Sequence, residues 1–423
     1  MKKITVLNVG GCIERWLDAD RIRDYLSKNR YIIVDKPEDA EIIILVTCAV
    51  FNEVADYTLD IIENFQKYDA ELVVAGCLPD IEPLRLSKIF NGRILTTKGL
   101  DREIENLFPP LGNVRFGEVD DGSVLTAKDD KTNSFKLLEN PLTNYLKIDK
   151  IYSKIRRYIL RNLFGEKSAS YKNFTERKNL YHLRICWGCA GNCSFCATKK
   201  AVGPLRSKPL DQCVKEFKGG LSKGYKNFVI CSDDPGAYGL DIGSSFVKLL
   251  DEITKIKGDY KIDISGLSPG MTVKYVDQLG EIFRRGKIRS ILIPVQSGSE
   301  RILKLMRRYP NADKIKDAFL KLKNFYPELS LETQCIVGFP TETWEDFEKT
   351  LNFIKECNFY FGFFYVFSSR DGTDAAEIEP KVSKKEINKR LRYAKRFLGR
   401  AGYKLSPFKL GVSKNTYVFY LNK

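Results

Sequence analysis

Apolar, β-branched runs recur along this chain at intervals that leave room for one helix between neighbours. In the first third they fall at Ile4–Val9, Tyr31–Val34, Ile42–Val46, Leu72–Ala75 and Arg93–Thr96, with polar, periodic segments between them. Strands alternating with helical patterns predict βαβ units and a parallel sheet. Residues 121–146 break this rhythm: Asp120-Asp121-Gly122-Ser123 and Asp129-Asp130-Lys131 are linker composition. Ile148, Ile151, Tyr152, Ile155, Ile159 and Leu163 then recur at helical spacing, with Lys150, Lys154, Arg157 and Arg161 between them. That pattern predicts a basic amphipathic helix over 147–164, which docks on protein by default and on RNA or a membrane surface as the sharper alternative.

A second series of strands begins near residue 181, at Tyr181–Ile185, Asn227–Cys231, Lys261–Ile264, Ser290–Val295, Leu329–Ile336 and Tyr360–Phe367. Helical patterns lie between most of them. Six βα units predict a partial (βα)6 barrel, whose chemistry sits at the C-terminal strand ends. Residues 384–400 read as a final basic helix, followed by a short strand-like run, Thr416-Tyr417-Val418-Phe419-Tyr420. The expected fold is α/β: an N-terminal parallel-sheet domain over 1–120, a linker with the basic helix over 121–180, a partial barrel over 181–400 and a short basic tail over 401–423.

The 423 residues suffice for two or three domains with proper cores, and 43% hydrophobic content is that of a globular chain. No apolar run approaches the ~20 residues of a membrane span, and the start turns polar too soon for a secretory signal. Charge is unevenly placed. The formal net is +16, yet residues 381–423 carry thirteen Lys and Arg against the single acid Glu386, and residues 147–180 carry ten against three acids. The remainder is slightly acidic, so the basic character is local. Phosphate backbone is the obvious partner for such a surface, and solubilised lysine-rich helices are the competing reading. One histidine, His182, argues against acid–base or triad chemistry as the main mechanism and reads as a packed or surface residue.

Eleven cysteines without secretory features argue for metal ligation in a reducing, cytoplasmic setting. Cys189, Cys193 and Cys196 stand in the spacing C-x3-C-x2-C, within Gly188-Cys189-Ala190-Gly191-Asn192-Cys193-Ser194-Phe195-Cys196. A cubane iron–sulfur cluster has four irons, and three thiolates leave one iron open to a small chelating ligand. Zinc is the competing reading, but zinc sites pair C-x2-C with a second cysteine or histidine pair, and none follows. Cys12, Cys48 and Cys77 are isolated, yet each falls just after a predicted strand. In a parallel sheet those loops gather on one edge, so three thiols distant in sequence can converge there; scattered cysteines are more often buried small residues, but the matching position after three separate strands favours ligation. Cys186, Cys213, Cys231, Cys335 and Cys357 belong to no motif and read as packed residues.

The cysteine loop, with Phe195 before its last cysteine, resembles that of radical S-adenosylmethionine (SAM) enzymes. Together with the three N-terminal cysteines and several later stretches, it makes the chain resemble the radical-SAM methylthiotransferases up to about residue 400. Those stretches are Ser232–Asp241, Pro294–Ser299, Ile336–Thr343 and Phe367–Thr373. Gly203-Pro204-Leu205-Arg206-Ser207 and Asp233–Gly239 look most like the archaeal and eukaryotic branch, which acts on threonylcarbamoyladenosine in tRNA. The resemblance implies two [4Fe–4S] clusters and SAM. Cys189, Cys193 and Cys196 would hold the SAM-cleaving cluster, and Cys12, Cys48 and Cys77 an auxiliary cluster that carries sulfur. Asp233 and Asp234 would grip the SAM ammonium, with Phe195, Arg206 and Gln296 as further SAM or substrate contacts. Reduced flavodoxin or ferredoxin would supply electrons.

The chain departs from the family's pattern in four respects. Barely twenty residues follow the last helix, where the family carries a small RNA-binding β-barrel. The 147–180 segment is longer than the usual connection. Leu292 stands where histidine is usual, and Gln334 and Val202 where aspartate and arginine are usual. Three functions follow: a tRNA methylthiotransferase whose basic helix and tail replace the barrel; a methylthiotransferase of a protein or peptide; and a catalytically inactive RNA-binding scaffold, which six cysteines in ligand context disfavour.

Overall fold

The computed structural model describes residues 2–10, 12–121, 180–410 and 413–421. The predicted 147–164 helix, most of the 121–180 linker and its basic patch lie outside the described residues. The chain divides into two compact units, Met1–Ile159 with Ala197–Gly203, and Leu160–Cys196 with Pro204–Lys423.

The first unit is built on five parallel strands, β1 (Lys3–Val9), β2 (Ile32–Ile33), β3 (Ile42–Thr47), β4 (Glu71–Gly76) and β5 (Arg93–Thr96), in the order β2-β1-β3-β4-β5. The near-continuous apolar runs have a direct cause: the central strands are covered on both faces. Ile4, Val6, Ile42, Ile44, Val73 and Ala75 point to one face, under Ile22, Tyr25 and Leu26 of the helix Ile13–Lys28 and Ile104 of the helix Leu100–Leu107. Leu7, Val9, Ile43, Leu45, Leu72 and Val74 point to the other, under Leu59, Ile62 and Phe65 of the helix Asn52–Phe65. Each such side chain contributes about 2 kcal/mol on burial, and a one-residue slip of register would exchange the two sets. Val9 pairs with Thr47, and Thr47 with Gly76, so β1, β3 and β4 end level with one another.

The second unit carries β6 (Tyr181–Arg184), β9 (Asn227–Cys231), β10 (Lys261–Ile264), β11 (Ile288–Gln296), β12 (Ser330–Val337) and β13 (Phe361–Val366) as successive parallel neighbours. Each is connected to the next through helix, which is the expected open (βα)6 arrangement. Between β6 and β9, the short strands β7 (Cys186–Trp187) and β8 (Arg206–Ser207) pair antiparallel and frame the cysteine loop. The C-terminal stretch differs from expectation. It forms two strands paired antiparallel, β14 (Tyr403–Leu410) and β15 (Ser413–Leu421); β15 lies antiparallel to β13, and the pair extends the sheet to eight strands. Only the β15 half alternates strongly enough to be visible in the sequence; β14 is interrupted by Pro407, which is tolerated because β14 is the edge strand.

His182 is buried on β6, the packed outcome of the two readings. Cys186, Cys213, Cys231, Cys335 and Cys357 are likewise buried. Burial pushes the Cys186 thiol up to about 12 and also raises those of Cys335 and Cys357, which favours the thiol over the reactive thiolate at all three.

Candidate active site

In the first unit the strand order β2-β1-β3-β4-β5 reverses direction between β1 and β3. In open parallel sheets the crevice at the carboxyl ends beside this reversal is the ligand site. Cys12 follows β1 and caps the helix Ile13–Lys28, Cys48 follows β3 directly, and Cys77 follows β4 directly. Cys48 and Cys77 are buried and Cys12 is exposed. Gly76 brings Cys77 into place: its backbone is left-handed (φ 94°), and a Cβ there would stand 2.3 Å from the Thr47 carbonyl. The Cys77 amide donates to that same carbonyl at 3.0 Å.

The Cys12 thiol is held well above its ordinary value chiefly by desolvation, although part of the residue reaches solvent. Glu14 and the Cys48 and Cys77 thiols add to the rise, and Arg15 opposes it. Arg15 is a site residue that the sequence did not single out. Its guanidinium is 1% exposed. Nη1 donates to Thr97 Oγ1 at 2.7 Å and to Cys77 Sγ at 3.4 Å, and Nε pairs with Asp18 at 3.0 Å. The signal was available: a cation in the first helical turn opposes the helix dipole, and only a local anionic group makes that place favourable.

In the second unit the loop Gly188–Cys196 leaves β7 at the carboxyl edge of the sheet. Three backbone-directed bonds lock its end. The Ser194 amide donates to the Met306 carbonyl at 3.1 Å, Ser194 Oγ donates to the Leu305 carbonyl at 2.7 Å, and the Ala375 amide donates to the Ser194 carbonyl at 2.9 Å. Phe195 packs on Ile302, Met306 and Phe339, so its ring anchors the loop. Gly191 is crowded by sulfur: a Cβ there would lie 3.3 Å from Cys189 Sγ and 4.0 Å from Cys193 Sγ. Its amide donates to Cys189 Sγ at 3.2 Å, and Arg308 Nη1 approaches Cys193 Sγ at 3.6 Å. Arg308 lies 115 positions from Cys193, and no local pattern marks it.

Asp233 and Asp234 follow β9 on the same edge. Asp233 Oδ2 accepts from the Gly188 amide at 3.0 Å, and Asp234 Oδ2 accepts from the Ala190 amide at 3.3 Å and faces Cys189 Sγ at 3.4 Å. The two carboxylates thus fasten the cysteine loop itself. Gln296 ends β11 with a left-handed backbone (φ 75°), a conformation costing of order 1 kcal/mol or more for a residue other than glycine. Its Oε1 is buried and has no hydrogen-bond partner among the described residues. Arg206 pairs with Trp187 across the β7–β8 ribbon, and the Arg206, Arg184 and Lys208 cations lie 5.5–5.8 Å from the Trp187 ring centre. Leu292 and Gln334 are both half-buried, on one face of the neighbouring strands β11 and β12, whereas Val202 is packed in the first unit's share of the chain.

Among the described residues, no three Cys, His, Asp or Glu side chains are already drawn into a metal cage. The donor set nevertheless suits iron: two groups of three thiols, each on the carboxyl edge of a parallel sheet, with N–H donors aimed at sulfur. Thiolate is the ligand that iron–sulfur clusters take, and a bound metal ion itself deprotonates a thiol.

The barrel sheet with its three-cysteine loop defines a radical-SAM enzyme, and the comparisons agree. Residues 184–354 match the Radical SAM superfamily, and residues 4–96 match the Uncharacterized protein family UPF0004. A probable threonylcarbamoyladenosine tRNA methylthiotransferase of Archaeoglobus fulgidus is 30% identical over 92% of this chain and 82% of its own length. One of Methanocaldococcus jannaschii is 29% identical over 93% and 83%. The radical SAM methyltransferase TsrM of Kitasatospora setae shares the fold at a TM-score of 0.61 with 12% identity, over 89% of this chain and 75% of that one. This chain belongs to the radical-SAM methylthiotransferase family, whose members use SAM and two [4Fe–4S] clusters. No described helix is long and apolar enough to cross a membrane.

Proposed function

We propose that this enzyme inserts a methylthio group at an unactivated C–H of a modified adenosine in tRNA, in the cytoplasm, with flavodoxin or ferredoxin as electron donor. The observation that carries the reading is the pair of three-cysteine constellations, each set on the carboxyl edge of its own parallel sheet. Cys189, Cys193 and Cys196 hold the cluster that binds SAM, and Cys12, Cys48 and Cys77 hold the auxiliary one. When bound, the clusters and SAM supply the radical that removes hydrogen and the sulfur that replaces it. The chain's own residues orient and exclude water. Asp233 and Asp234, already holding the loop, present carboxylate to an ammonium. Gln296 offers its buried acceptor oxygen to a donor of SAM or substrate, Phe195 stiffens the loop, and Arg206 offers charge to a carboxylate or phosphate. Leu292 and Gln334, half-buried on one face of β11 and β12, set substrate choice.

The test is anaerobic reconstitution followed by incubation with SAM, a reductant and cellular tRNA. The expected outcome is about eight irons per chain, falling to about four when Cys12, Cys48 and Cys77 become alanine, and a new methylthio derivative of threonylcarbamoyladenosine by nucleoside mass spectrometry. Unchanged nucleosides alongside methylthiolation of an added protein fraction would reject tRNA as the substrate.

A further inference from the structure

The helix Lys384–Arg400 has two faces of opposite character. Ile387, Leu391, Ala394 and Leu398 are buried on one side. On the other, Lys385, Lys389, Arg392, Arg396 and Arg400 are all exposed. Their spacing of four, three, four and four residues puts them on one stripe, about 22 Å long at 1.5 Å per residue. The helix holds one acid, Glu386, and that group pairs with Arg390 at 3.5 Å. None of the five stripe cations forms an ion pair with any described carboxylate. A ladder of half-buried aromatic rings runs beside the stripe: Trp344 to Tyr393 at 5.2 Å and Tyr393 to Phe397 at 6.0 Å, with Lys389 Nζ 5.1 Å from the Trp344 centre.

The helix is anchored near its start, where its buried side meets the loop after β12 at the carboxyl edge of the sheet that also carries the cysteine loop. Arg390 donates to Glu342 Oε2 at 2.5 Å and to the Glu342 carbonyl at 2.8 Å, and Glu342 accepts from the Gly338 amide at 2.7 Å. Gly338 lies against Ile387, and it begins the loop leaving the carboxyl end of β12.

We propose that the Lys385–Arg400 stripe is the RNA-docking face of this enzyme, taking the phosphate backbone of the tRNA with the Trp344–Tyr393–Phe397 ladder against sugar or base. The proposal rests on the tRNA reading above. Five like charges held in a row without an ion-pair partner among the described carboxylates destabilise one another by about as much as opposite pairs stabilise, and a polyanion removes that cost. RNA fits better than a bilayer, because an interfacial helix must offer its apolar face to lipid and this one has already buried it. It fits better than an acidic peptide, because aromatic rings beside a basic track are the pattern that single-stranded nucleic acid uses.

The experiment measures binding of labelled tRNA to the full-length reconstituted enzyme by anisotropy across a salt series. In one variant Lys385, Lys389, Arg392, Arg396 and Arg400 all become Gln. In a control, the exposed Lys223, Lys226, Lys248, Lys255 and Lys257 become Gln, removing the same charge elsewhere. The stripe variant should lose at least tenfold in affinity near 0.15 M salt, and its log–log salt slope should become shallower by about 3 to 4. The control should lose several-fold less. An unchanged slope in the stripe variant, an equal loss in the control, or equal displacement of tRNA by polyglutamate would each overturn the proposal. Nucleoside mass spectrometry on the wild type separates the two readings: methylthiolated tRNA with an unaffected stripe variant rejects only the docking face, whereas unmodified tRNA rejects the substrate.

Discussion

Gly76 shows how closely a single residue governs a cysteine's place. Its left-handed backbone turns the chain out of β4 directly before Cys77, and the Thr47 carbonyl leaves no room for a Cβ. Gly76→Ala is therefore expected to cost about 3 kcal/mol and, because β4 would shift away from β3, to lower the iron bound by the first unit. Denaturant unfolding and iron analysis of a variant lacking the second trio would measure both. Arg15 acts differently. Hydrogen bonds to cluster sulfurs and nearby positive charge raise reduction potentials, so Arg15→Gln should lower the midpoint potential of that cluster and Arg15→Lys should recover part of the shift. A redox titration followed by electron paramagnetic resonance reads this; equal potentials in all three proteins would leave Arg15 a structural residue. Cys12, Cys48 and Cys77 were legible as candidates because each follows an apolar run. Arg15 was not, because its relation to Cys77 spans 62 residues.

At the scale of elements, the helix Trp344–Cys357 carries the clearest local grammar. Thr343 and Asp346 form a capping box. Burial alone would push the Asp346 carboxyl up, but hydrogen bonds from Arg301, from Ser299 at 2.6 Å, and from the Thr343 amide and hydroxyl at 2.9 and 2.8 Å hold it well below the usual carboxylate range. A carboxyl whose folded pKa is depressed contributes stability above its unfolded pKa of ~3.9 and loses it as pH falls toward the folded value. Asp346→Asn should thus cost about 2 kcal/mol at neutral pH, with the gap to wild type closing below about pH 4. Unfolding curves across pH 2–7 check it, and a constant gap over that range would refute it. The strands were read almost residue for residue, since runs buried on both faces stand out. The antiparallel pair β14–β15 was half-missed: β14 has no such run, and its pairing is decided by β15 rather than within the strand itself.

At the scale of the whole molecule, the basic surplus is concentrated rather than general, and five of its described cations form one stripe along the helix Lys384–Arg400. Local patterning was enough to predict that helix. It could not say which side faces solvent, nor that Arg390 is withdrawn from the charged row to pair with Glu342. The same division applies throughout. The sequence alone determined the α/β class, both parallel sheets and the family, and marked six candidate cysteines, because strand periodicity, loop position and the C-x3-C-x2-C spacing are local and each is read within a few tens of residues. Tertiary structure alone decided that β1, β3 and β4 end level so that three distant thiols share an edge, and that Asp233 and Asp234, expected to grip the SAM ammonium, fasten the cysteine loop. It also brought Arg15 and Arg308 to sulfur and left the Gln296 oxygen buried without a partner among the described residues. These are contacts between residues tens to more than a hundred positions apart, set by strand register and helix packing, which no local pattern encodes.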